Sequence, residues 1–129
     1  MNRLKCLFKA AVYVQQDNTV VNYILLITYG IAVTALSLKP TVDLQDIPYN
    51  DKVAHSITYA LFTFFAWRLS PTRRLLLSHA LLVFTYSVLI EFIQPLTCRT
   101  LSGWDMVANG LGVMIMALLL YHVSLPTAD

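Results

Sequence analysis

The 129-residue chain is poor in charge. Asp, Glu, Lys and Arg make up 12% of it, against roughly 25% in an ordinary soluble domain. It has only two cysteines and four glycines. The charge deficit, with 57% hydrophobic residues and a mean hydropathy of +0.63, argues against water as the only solvent and for lipid. Two cysteines give neither a disulfide framework nor a cysteine zinc site. No nucleic-acid partner, cofactor or metal is expected.

What is present is apolar and comes in long runs. Residues 20–38 carry no charge, residues 53–67 and 75–90 carry one histidine each and no other ionisable group of that kind, and residues 106–121 carry neither. At about 1.5 Å per residue, helices of this size approach the hydrocarbon thickness of roughly 30 Å. The reading is an all-α polytopic membrane protein: an antiparallel four-transmembrane-helix bundle near 20–38, 53–69, 75–94 and 104–122. Pro40, Pro71, Pro95 and Pro126 mark the helix exits, as a residue without an N–H would. One domain, 20–122, follows a basic tail at 1–19 and precedes a short tail at 123–129. The first segment lacks a signal-peptide cleavage site. Two readings of it stay open: a basic tail, or a helix on the membrane surface with Arg3, Lys5 and Lys9 toward headgroups.

Basic residues set the orientation. The N-terminal tail holds three against Asp17, and the 68–74 turn holds Arg68, Arg73 and Arg74 with no acid. The 39–52 loop holds Asp43, Asp46 and Asp51 against two lysines. Both termini are therefore expected inside, in a bacterial plasma membrane, N-in/C-in. Cys6 then lies inside and Cys98 outside, so they cannot pair within one chain.

The few polar side chains within the spans are not scattered. Asp51, His55 and Thr58 fall within about 60° of one another on helix two, with Tyr59 beside them. Ser87, Glu91 and Gln94 share a face of helix three, and Asp105, Asn109 and Gly112 share one of helix four. Arg99 and Ser102 lie on the loop between. A charge at the bilayer centre costs about 2.5–3.5 kcal/mol on insertion scales, so such stripes should turn toward each other and form a polar cup at the outer surface. Capping is a sufficient account of Asp51 or Asp105 alone, but not of His55, Glu91, Arg99 and Asn109 at the same depth. Ala108 and Gly112 form a small-xxx-small pair for close helix packing. "DKVAH" (51–55) and "DMVAN" (105–109) faintly echo each other. His79 reads as a packed or interfacial histidine, Trp67 and Trp104 as belts at opposite membrane edges, and the 68–74 arginines as topology signals.

The stretch "DKVAHSITYALF", followed after about 30 residues by "EFIQPLTCRTLSGWDMVANGLG", resembles the VanZ-like family of small bacterial integral membrane proteins. That family's pattern is D-K-x-x-H-x-x-x-Y, then E-x-x-Q, then R-x-x-S-x-x-D-x-x-x-N-x-x-G. The matching positions are Asp51, Lys52, His55 and Tyr59, then Glu91 and Gln94, then Arg99, Ser102, Asp105, Asn109 and Gly112. The resemblance implies a four-helix plasma-membrane protein, from a family whose name comes from low-level resistance to the glycopeptide-type drug teicoplanin.

Binding is the leading functional expectation: Arg99 and Lys52 suit the phosphate or carboxylate of a membrane lipid or a lipid-linked envelope precursor. A membrane-embedded enzyme using His55 with the carboxylates is the lesser reading, since no second histidine stands at ligand spacing. A transporter or flippase subunit and a purely structural polar network complete the alternatives. No oligomeric state follows from the sequence.

Overall fold

A computed structural model describes residues 18–39 and 48–123. The basic tail with Cys6, the acidic stretch with Asp43 and Asp46, and the tail beyond Val123 lie outside the described residues. Within them the chain is all-helical: α1 (Thr19–Ser37), α2 (Pro48–Trp67), α3 (Arg73–Ile93) and α4 (Gly103–Val123), with a 3-10 turn at Gln94–Thr97.

Each start has a chemical cause. Asn18 accepts from the Val21 N–H at 3.3 Å, Thr72 from Leu75 at 3.3 Å and Ser102 from Asp105 at 3.3 Å. These side-chain oxygens satisfy backbone donors that the first helical turn leaves unpaired. Pro48 begins α2, where its missing N–H costs nothing. This sets the start five residues before the expected 53, because the polar "PYNDK" run is a first helical turn and not loop. Pro95 does not end α3 abruptly; it sits in the first turn of the 3-10 segment. The chain then reverses at Cys98, whose φ of 60° is left-handed.

Consecutive helices alternate in direction. Asn22 of α1 meets Arg68 after α2, while Ser37 at the far end of α1 meets Gln94 and Arg99. Lys52 of α2 meets Asp105 of α4. The most extensive contact is between α2 and α4, which are not neighbours in sequence and run parallel. Small side chains permit the close packing: Ala66, Ala80, Ala108 and Ala117 are all buried, as at lipid-embedded interfaces. An aromatic seam, Tyr29–Phe62 and Phe62–Tyr86, crosses the middle with edge-on ring centroids at 5.6 and 5.3 Å. Helix α1 is peripheral, with 11% of its apolar window buried against 39% for α4.

Three helices are long and apolar enough to cross a membrane: α1, α3 with its 3-10 extension, and α4. Helix α2 is not among them, since its first turns carry Asp51, Lys52 and His55. Trp104 is 75% exposed, but Trp67 is 2% exposed and packs with Leu76 and Leu120. The expected belt role of Trp67 is thus corrected: its indole fills the bundle core and does not face outward.

Candidate functional site

The first turns of α2 and α4 lie side by side because Gly112 allows it. A Cβ there would stand 2.0 Å from the Ser56 carbonyl oxygen, so no other residue fits without moving a helix backbone. The contact brings the two echoing segments together, and the fifth residue of each meets the other: His55 Nδ1 lies 3.0 Å from Asn109 Oδ1. An amide oxygen only accepts, so Nδ1 carries the proton. The other ring nitrogen, Nε2, is left 3.7 Å from Asp51 Oδ1 and 3.9 Å from Asp105 Oδ2.

Lys52 bridges the same two carboxylates through their remaining oxygens. Its Nζ donates to Asp105 Oδ1, and to Asp51 Oδ2 at 3.3 Å. Asp105 stands in the first turn of α4, but it does not supply the cap hydrogen bond. Ser102 supplies the cap through its hydroxyl, which frees the Asp105 carboxylate for Lys52.

Helix α3 contributes Glu91, which is 1% exposed. Asp105, His55 and Arg99 are its charged neighbours. Its Oε2 has no hydrogen-bond partner, nor does Nδ2 of the fully buried Asn109. Such unsatisfied groups normally cost about 1–3 kcal/mol each, which makes them informative. Gln94 and Arg99 are placed differently. Both donate to the Ser37 carbonyl, at 3.4 and 3.1 Å, and so tie down the C-terminal end of α1.

A cavity of about 260 Å³ opens between α1 and α2. Asp51, His55 and Arg99 line its polar part; Tyr29, Val33 and Leu36 of α1 and the buried Tyr59 of α2 line the rest. The α1 contribution was missed in sequence reasoning. Its signal is the 29, 33, 36 spacing, one face of a helix, on which only Tyr29 carries a polar atom, and that hydroxyl is used on the Thr58 carbonyl at 2.9 Å; Ser37 at the end of α1 adds a second hydroxyl to the lining.

The opposite end of the bundle has its own polar pairs. Arg68 Nε donates to Asn22 Oδ1 at 2.7 Å, and Ser70 Oγ pairs with His79 Nδ1 at 2.6 Å. Arg73 lies over the Tyr121 ring, 4.6 Å from its centroid, a cation–π arrangement.

The sequence matches no protein-family model, no curated protein and no solved structure. The VanZ-like resemblance therefore stands on its motif residues. Of these, Asp51, Lys52, His55, Asp105 and Asn109 touch one another, with Glu91 facing them. Gln94, Ser102 and Gly112 serve as tie, cap and close contact, while Arg99 both ties α1 and lines the cavity.

Proposed function

We propose that this chain is a VanZ-like, four-span bacterial plasma-membrane protein, with both termini inside, whose outward cup binds an anionic headgroup. The ligand class is a phosphate or carboxylate carried on a membrane lipid or lipid-linked envelope precursor. The observation that carries this reading is the shared cavity. Arg99 and His55 stand with Asp51 at the polar part of a space whose remainder is mainly apolar and aromatic, so one amphipathic molecule would satisfy both parts. Arg99 keeps free donors beyond the single bond from Nη1 to Ser37, and a planar guanidinium suits a two-oxygen anion. Holding such a headgroup would bear on envelope maintenance and on tolerance of teicoplanin-type drugs. Helix α2 crosses despite its polar start because its charges turn into the bundle.

The test is mass spectrometry of lipids that co-purify in mild detergent. Wild type is compared with Arg99→Gln and with Ala32→Phe, which fills the cavity while sparing every hydrogen bond at the cup. Selective enrichment of one anionic lipid or precursor, lost in both variants at equal folded yield, is the expected result. Identical bulk lipids in all three would reject the reading.

A second reading, a purely structural network, draws on the paired bonds from Gln94 and Arg99 to Ser37. It accounts for those two residues. It leaves the unpartnered Glu91 and Asn109 atoms without a role.

A further inference from the structure

We infer that the cup holds a divalent transition-metal cation between Asp51, His55 and Asp105. The inference does not depend on the lipid reading. Its starting point is charge: within the cup Asp51, Glu91 and Asp105 stand against Lys52 and Arg99, a formal surplus of one negative charge with His55 neutral.

The geometry is specific. One ligand atom from each of the three residues lies within 4.8 Å of the others. The separations from His55 Nε2 to the two carboxylates, 3.7 and 3.9 Å, are too long for hydrogen bonds. Two ligands sharing one ion with bonds of about 2.0–2.2 Å stand roughly 3 to 4.2 Å apart, which is this range. The donor atoms are also free for the task. Lys52 uses Asp51 Oδ2 and Asp105 Oδ1, whereas Asp51 Oδ1 and Asp105 Oδ2 are the oxygens turned to the imidazole. His55 is oriented by Asn109, as ligating histidines are by a partner at their second nitrogen.

An independent observation points the same way. Glu91 is 1% exposed, with Oε2 unpartnered, and Asp105 and His55 are among its charged neighbours. A buried carboxylate beside another is costly unless positive charge is near, and Arg99 is the one cation among the described residues that bears on it. Access is open from one side only: the Asp51 side chain is 51% exposed, the Asp105 side chain 9%. Two carboxylates and one imidazole suit Zn²⁺ or Mn²⁺ better than an all-oxygen cage would, and leave positions for water or a phosphate oxygen. The sequence offered no second histidine; the third ligand is instead a carboxylate from α4.

The experiment is isothermal titration of Zn²⁺, and separately Mn²⁺, into the chelator-treated full chain in detergent. Saturable binding of one ion per chain is expected with either metal. Asp51→Asn, a half-exposed site that the fold tolerates, should weaken it roughly tenfold or more, as should Asp105→Asn. Lys52→Met should tighten it roughly tenfold, because a like charge a few ångströms away is removed. Arg99→Gln should leave it within about twofold, which separates this site from the lipid reading. Absence of saturable binding with both metals, or binding unchanged in Asp51→Asn and Lys52→Met, would overturn the inference.

Discussion

The two ends of the bundle solve the same problem differently. At the Arg68–His79 end, every charged side chain among the described residues is basic, and the polar contacts are neutral or cation-to-amide: Asn22 with Arg68, Ser70 with His79. The buried atoms still lacking partners there, Trp67 Nε1 and Arg73 Nε, are both donors. At the cup end three carboxylates stand around two cations, and the unpartnered buried atoms are one acceptor, Glu91 Oε2, and one donor, Asn109 Nδ2. One end carries only positive charge, the other a negative surplus. Stability and unspent binding capacity are therefore separable along the bundle axis, which is why substitutions at the two ends should differ in sign.

The largest effect tests the contact on which the cup depends. Gly112→Ala drives a methyl into the Ser56 carbonyl, a backbone atom that cannot rotate away; a loss of about 3 kcal/mol or more is expected, read as a large fall in melting temperature in detergent. Next comes the Arg68 end. Asn22→Ala removes the acceptor for a part-buried guanidinium bond and should cost about 1.5–3 kcal/mol, measured by the same melt. At the cup end Glu91→Gln should reverse the sign: with one carboxylate charge gone from a crowded acidic site, stability should hold or rise by about 1 kcal/mol while metal uptake falls. A loss as large as that of Asn22→Ala would erase the distinction between the ends. The smallest effect is expected at Cys98→Gly. Relieving a left-handed φ on a residue with a Cβ should gain no more than about 1 kcal/mol, visible as a shift of a few degrees.

Much of this was legible beforehand, and particular residues show why. The apolar runs and the prolines located all four helices to within a few residues, because chain length in a helix and the missing proline N–H are local facts. Asp51, His55, Glu91, Asp105 and Asn109 were placed at one depth from helical spacing alone. Which helices would touch most closely was less legible. Short connections favour sequence neighbours, yet α2 and α4 form the main contact, and the hints were the small pair Ala108 and Gly112, which named no partner helix, and the echo of "DKVAH" in "DMVAN". Trp67 was misplaced because an indole near a helix end looks the same whether it faces the core or the outside. The roles of Ser102 and Asp105 divided differently from expectation, since two residues three apart can both cap, and only the competing partner Lys52 decides between them.

Helix α1 is held at its tips, Asn22 by Arg68 and Ser37 by Gln94 and Arg99, and at its middle, where Tyr29 donates to the Thr58 carbonyl and Tyr86 to the Gly30 carbonyl. Translated into the order of synthesis, the first of the described helices has partners made 29, 46 and 62 positions later. Its Ser37 tip stays unanchored until the 3-10 turn has emerged. A segment with no charge of its own can tolerate that delay, and it closes the cavity only when Arg99 arrives. The wall that α1 gives the cavity is therefore fixed later than the helix that carries it.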